Sequence, residues 1–166
     1  MRLAAGVTVA VFLVARGWAA EAGSTSTVRA ALHYFDDDAI VWREAPPTMP
    51  PGASVTAPMG DPRTGASTMM LKIPKGYTLK PHRHGADEAG VVVSGWLQAG
   101  EGESADPATS ERLGPGDWVH IPAGTPHWVT AVDDCVLVLF SYGPRTTLWV
   151  NPADDPAKSA PAPTAK

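Results

Sequence analysis

The sequence predicts a single all-β domain. Its 166 residues are a length typical of one domain. Seventeen prolines and sixteen glycines, with a charged fraction of only 18%, favour many short strands joined by turns. From Ser67 onward the apolar residues follow the two-residue period of β-strands. An apolar fraction of 44% is sufficient for a hydrophobic core.

The first residues are typical of a targeting segment. Arg2 is followed by thirteen apolar or small residues, 3–15, and then by small residues near position 20. This order predicts a secretory signal peptide over residues 1–20, with cleavage after Ala20 or Ala22. An uncleaved anchor is the alternative, but the apolar run is shorter than the ~20 residues that span a bilayer. We therefore predict an exported protein, periplasmic or secreted, with no membrane partner after signal removal.

The mature chain is predicted to be acidic. Loss of residues 1–20 removes two arginines and no acidic residue, which changes the formal charge from −4 to −6. A protein of this charge has no electrostatic attraction for nucleic acid, so nucleic acid is excluded as a predicted partner.

The rest of the chain divides into an arm, a barrel and a tail. Residues 21–66 predict an N-terminal arm that packs on the barrel, because the proline-rich run 46–52 cannot hold regular ladder hydrogen bonds. Residues 67–150 predict the barrel, and the composition of residues 151–166 predicts a flexible tail. One predicted strand carries His82 and His84. The others are predicted at residues 67–73, 89–94, 96–100, 111–113, 117–121, 125–132, 135–142 and 146–150.

The strand at residues 135–142 is the most apolar of the chain. Apolar residues on both of its faces predict burial on both sides. One face would meet the barrel interior, and the other would be covered by the N-terminal arm or by a second subunit, so a homodimer is a possible partner arrangement. Cys135 is the single cysteine and is expected to be a small core residue.

Three side chains that bind divalent metals lie within one strand–turn–strand unit. His82 and His84 share one strand face, about 6–7 Å apart along the backbone. Residues 85–87 form the predicted turn, and Glu88 opens the return strand opposite the histidines. With His127 from another strand, these residues predict a mononuclear site for one divalent transition metal: Fe, Mn, Ni, Cu or Zn. A tetrahedral zinc ion bound by all four would instead be structural.

These residues resemble the two sequence motifs of the cupin superfamily. The first motif (glycine, five residues, His-x-His, three residues, glutamate, six residues, glycine) is filled by Gly76, His82, His84, Glu88 and Gly95. The second (glycine, five residues, Pro-x-Gly, two residues, histidine, three residues, asparagine) is filled by Gly116, Pro122, Gly124 and His127, with Ala131 in place of the asparagine. The resemblance covers roughly residues 67–150 and implies a double-stranded β-helix, a jelly-roll barrel with the metal among its strands. Ala131 removes an inward polar group rather than a metal ligand.

The resemblance implies metal binding more directly than any one reaction, because one fold hosts many chemistries. The leading hypothesis is an iron- or manganese-dependent oxidoreductase of the dioxygenase type that acts on a small organic substrate, with Glu88 as a catalytic base. A metal-dependent lyase or isomerase is the nearest enzymatic alternative. A non-catalytic module that binds or senses a metal or small ligand is the alternative outside enzymes. A cavity that reaches the metal would favour catalysis. His120 is expected to be structural rather than part of the pocket.

Overall fold

The computed structural model describes residues 40–159. The predicted signal peptide and the first part of the predicted arm lie outside these residues. Eleven strands form two antiparallel sheets in the described part. The six-stranded sheet contains, in spatial order, β1 (Arg43–Glu44), β2 (Ser54–Gly60), β3 (Ser67–Ile73), β10 (Cys135–Ser141), β5 (Glu88–Ser94) and β8 (Trp118–Ile121). The five-stranded sheet contains β11 (Leu148–Trp149), β4 (Thr78–Arg83), β9 (His127–Ala131), β6 (Leu97–Glu101) and β7 (Glu111–Leu113). The predicted all-β jelly-roll class is confirmed.

Strand β10 shows how the two-residue period builds the core. Its odd-numbered residues are buried, from Cys135 to Ser141, and its even-numbered residues are half-buried. Leu137 lies opposite Leu71 of β3 and Val92 of β5, and all three belong to one apolar cluster to which both sheets contribute. Each such side chain contributes about 1.5–3 kcal/mol by leaving water. The core therefore holds the two sheets against each other.

The outer face of β10 is only partly covered by the described residues. The Phe140 ring stacks on that of Trp118 of β8, with centroids 5.7 Å apart. Trp118 itself is 56% exposed. The sequence predicts that both faces of β10 are buried, but in the described residues only the inner face is fully buried. The homodimer stays a prediction.

The sheet begins earlier in the chain than the predicted strands. Residues 54–60, assigned from the sequence to the arm, form β2, which pairs with β3. The pairing register shifts between Thr56 and Met59, around Pro58, which has no N–H to donate. The proline-rich run before β2 packs on the barrel, since the Tyr77 hydroxyl donates to the carbonyl of Pro50 at 2.8 Å.

The beginning of the predicted flexible tail has local structure. A 3₁₀ turn (Pro152–Asp154) is followed by one turn of helix, α1 (Pro156–Ser159). Lys80 of β4 forms an ion pair with Asp154 at 2.6 Å, which ties the turn to the barrel. Residues 160–166 lie outside the described residues. Within residues 40–159 no helix is long and apolar enough to cross a membrane.

Gly95 is expected to tolerate no side chain. It joins β5 to β6 at a φ of 79°, and a Cβ added there would lie 2.2 Å from the carbonyl oxygen of Asp134. Replacement Gly95→Ala should lower the free energy of unfolding by about 1–3 kcal/mol, because a left-handed backbone and a backbone clash act together. Urea denaturation measures this difference. Gly65→Ala is the control, since an added Cβ there meets nothing within 4 Å. Equal losses in the two variants would contradict the argument.

Candidate metal centre

A bulge in strand β4 turns His82 into the barrel. The pairing register runs from Leu79 to His82 on β4, but only from Val129 to His127 on the facing strand β9. One extra residue, within Lys80–Pro81, therefore bulges out of the ladder. Both Leu79 and His82 are buried as a result, and His82 lies directly opposite His127.

All four predicted site residues lie inside the barrel. His84 follows β4 directly, Glu88 begins β5 and His127 begins β9. The exposed fractions of His82, His84, Glu88 and His127 are 2%, 4%, 4% and 7%. Four polar side chains buried at the meeting point of three strands need hydrogen-bond or metal partners.

The three imidazole rings converge on one point. Ring centroids are 4.3 Å apart for His82 and His127, 5.0 Å for His82 and His84, and 5.1 Å for His84 and His127. One ring nitrogen from each histidine lies within 4.8 Å of the other two. The three side chains could therefore hold one metal ion.

Backbone carbonyls determine the tautomer of each ring. The Nδ1 atoms donate to main-chain oxygens: His82 to Lys80 at 2.8 Å, His84 to Thr146 at 2.8 Å and His127 to Thr125 at 3.0 Å. Because a carbonyl only accepts, each Nδ1 carries the proton and each Nε2 presents a lone pair. The Nε2 of His84 is buried and has no hydrogen-bond partner within residues 40–159. A buried lone pair of this kind fits a metal ligand.

Burial also keeps the rings neutral. The pKa of His82 is lowered to about 3, mainly by desolvation and then by the neighbouring His127 and His84. Desolvation, followed by the charge of Arg145, lowers the pKa of His84 to about 3. The pKa of His127 is lowered by burial as well. All three rings can thus bind a cation at neutral pH without first releasing a proton.

Glu88 is ion-paired with Arg145, a residue that the sequence did not indicate. Its Oε2 accepts a hydrogen bond from Nη1 of Arg145. The same oxygen lies 3.7 Å from Nε2 of His84; this contact is not an ion pair, because burial keeps His84 neutral. Glu88 lies at the edge of the histidine group, which does not include a carboxylate oxygen. Its roles as a metal ligand and as a catalytic base stay predictions.

The segment 145–149 supports the site from the C-terminal side. Besides accepting from His84, Thr146 accepts a hydrogen bond through Oγ1 from the N–H of Gly85 at 3.0 Å. A Cβ at Gly85 would lie 2.7 Å from that oxygen, so a side chain there would push the Thr146 hydroxyl away. Trp149 pairs with His82 across β11 and β4, and their rings are 5.5 Å apart. The sequence predicted a strand here, but no local pattern indicated that it contacts the histidines.

A cavity of about 470 Å³ reaches two of the three histidines. His82 and His127 line it, whereas His84 does not. Its walls are mainly apolar side chains from both sheets, including Leu71, Leu79, Val92, Leu97, Val119, Leu137 and Leu139. The exposed lining residues include Glu101, Thr109, Glu111 and Asp117. The cavity is therefore apolar inside and has exposed, mostly polar residues where it meets solvent.

Other residues weighed from the sequence lie as follows. Val129 lines the cavity together with His127, as strand parity predicts. Ala131 points inward but lies in the apolar core cluster rather than on the cavity wall. His120 is exposed and lines the cavity, so the expectation that it lies outside the pocket is wrong; its Nε2 lies 3.5 Å from Oδ2 of Asp87, and it is not part of the histidine group. Cys135 is buried, as expected of a core residue.

Comparisons with known proteins agree with this architecture. The family described as "Domain of unknown function (DUF4437)" matches residues 38–166. The structure of KdgF from Halomonas sp. is 26% identical, with a TM-score of 0.54 over 69% of this chain and 96% of that chain. An RmlC-like cupin from Shewanella frigidimarina is 14% identical, with a TM-score of 0.54 over 69% of this chain and 92% of the other. The polyketide cyclase RemF from Streptomyces resistomycificus is 19% identical, with a TM-score of 0.53 over 66% and 80%. No curated protein matches the sequence. The cupin fold is confirmed.

Acid is expected to destabilise the metal-free protein through its buried histidines. The folded pKa of about 3 for His82 and His84 lies below the ordinary value of 6.5. As pH falls the unfolded chain therefore binds protons first, so the stability linked to these rings is complete above pH 6.5 and is lost between pH 6.5 and about 3. Urea unfolding at several pH values, after chelation, measures the slope. The double variant His82→Gln/His84→Gln should show a shallower slope; an unchanged slope would refute this origin.

Proposed function

The chain belongs to the DUF4437 family and has the cupin fold, and we propose that it is a metal-dependent oxidoreductase of the dioxygenase type that acts on a small organic molecule. One observation carries the proposal: two of the three converging histidines line an open, mainly apolar cavity. A structural ion is closed off by its ligands, whereas a catalytic ion keeps a position that faces the substrate space.

The metal would be held through Nε2 of His82, His84 and His127, whereas Glu88, the fourth ligand that the sequence predicts, is paired with Arg145. Imidazole and carboxylate donors suit divalent iron, manganese, nickel, copper and zinc. A bound ion would supply Lewis-acid chemistry and, as iron or manganese, redox chemistry.

The chain's own residues would bind and orient the substrate. A volume of about 470 Å³ lies within the range of small-molecule sites. The apolar walls would take up a carbon skeleton and exclude water from the histidines. The carboxylate of Glu88, 3.7 Å from Nε2 of His84, is the group that we assign to accept a proton.

A lyase or isomerase is the second candidate, because the same three imidazole donors also suit a metal that acts without redox change. Three imidazoles with an open position are also the ligands of catalytic zinc, which acts without redox change. Zinc in the working protein with turnover intact would identify this class.

A binding or sensing module without turnover is the third possibility, since the cavity suits a ligand as well as a substrate. Export and a homodimer are part of the proposal on the basis of the signal-peptide pattern and the apolar outer face of β10.

The ligand assignment predicts the metal content of single variants. His82→Ala and His84→Ala should each lose most bound metal, because no neighbouring side chain replaces the missing nitrogen. His120→Ala is the control and should keep it, since that ring is exposed. Elemental analysis of protein purified without an affinity metal measures the content. Full occupancy in both site variants would disprove the assignment.

Chelation should also lower the melting temperature of the wild type if only the folded form binds the ion.

Catalysis predicts oxygen uptake that depends on the cavity. Metal-loaded protein should consume oxygen with at least one member of a panel of small phenols, diketones and organic acids. Val119→Phe, which fills the cavity, should lower the turnover at least about tenfold and keep the metal, because a misplaced substrate alone costs this much or more. The control Val93→Phe lies on an exposed position that does not line the cavity. Turnover without oxygen uptake would instead support a lyase or isomerase, and ligand binding without turnover would support a sensing module.

A further inference from the structure

We propose that Arg145 withholds Glu88 from the metal, so that the centre is a three-histidine site with a separate carboxylate beside it. Arg145 is then a positioning residue that acts through Glu88. The inference rests on the proposed metal site, but not on the reaction catalysed there.

The first support is the identity of the paired oxygen. Glu88 has two carboxylate oxygens, and Oε2 is the one that lies 3.7 Å from Nε2 of His84. The same Oε2 accepts the hydrogen bond from Arg145. The carboxylate oxygen that lies beside the His84 donor is thus already bound to a guanidinium, and a metal ion would have to compete with it.

The second support is that Arg145 is anchored where it competes. Its main-chain N–H donates to the carbonyl of Pro62 at 2.7 Å, and the next residue, Thr146, accepts from both His84 and Gly85. The guanidinium is therefore held by the same segment that orients a metal ligand. Its side chain is 13% exposed and that of Glu88 5%. Separating the pair would leave a buried charge without a partner, which is strongly unfavourable.

The third support is the charge balance of the site. Each histidine uses Nδ1 on a neutral carbonyl and keeps a neutral ring with a free lone pair. Glu88 alone has a cationic partner, and the two charges cancel. Three neutral donors would leave the full double charge on a bound cation, which polarises a coordinated group more strongly than a site with one anionic ligand does.

Cobalt(II) binding to the metal-free protein tests the inference, with calorimetry for affinity and visible absorption for coordination. Arg145→Met should tighten binding about tenfold and change the absorption spectrum, because the freed carboxylate becomes a ligand. Arg145→Lys retains a cation at Glu88 and should match the wild type in both measurements. Arg145→Met/Glu88→Gln removes both charges of the pair together, so it should bind cobalt within about threefold of the wild type, since no ligand is lost; loss of a ligand's support typically costs 10–100-fold.

The same double variant separates the two effects of the arginine. Its affinity and spectrum should match the wild type rather than Arg145→Met, because without the carboxylate no ligand is gained when the guanidinium is removed. A gain in affinity in the double variant equal to that in Arg145→Met would overturn the inference, as would weaker binding by Arg145→Met. If Arg145→Met does not fold, a loss of more than about tenfold in the double variant overturns it alone. Failure of the wild type to bind cobalt would remove the proposed metal site itself, whereas normal wild-type binding with these contrary results would refute only the role of Arg145.

Discussion

The site depends on the pairing of β4 with β9. Their register, shifted by one bulged residue, sets His82 directly opposite His127 and leaves both rings on the inner surface. A main-chain carbonyl then accepts a hydrogen bond from the Nδ1–H of each ring. The backbone thereby sets both the position and the protonation state of the three nitrogens that could hold a metal.

The surroundings decide what these nitrogens can do. Burial makes a charged imidazole unfavourable, so the rings stay neutral and the lone pair on each Nε2 can bind a cation. The same apolar interior forms the wall of a cavity that two of the rings line. Apolar core residues and the candidate metal centre therefore border one cavity between the two sheets.

The C-terminal segment connects this centre to the rest of the chain. Residues 145–149 supply a carbonyl to His84, a hydroxyl to the Gly85 turn, a guanidinium to Glu88 and an indole beside His82. Four different site positions therefore depend on one segment, and a change in it would act on metal binding without touching a ligand.

Much of this molecule can be predicted from local sequence. The two-residue period determines the strands, and the cupin motifs select the histidines, Glu88 and the bend at Gly95, because these patterns are written within single segments. Local patterns do not predict three features: the strand β2, the bulge within Lys80–Pro81 and the contact of Arg145 with Glu88. Each arises where strands distant in sequence pair or pack, and such pairing depends on the whole sheet rather than on a local period. Sequence alone thus determined which side chains could hold a metal, and only the tertiary structure decided which of them converge, which carboxylate is already paired and which nitrogens face an open cavity.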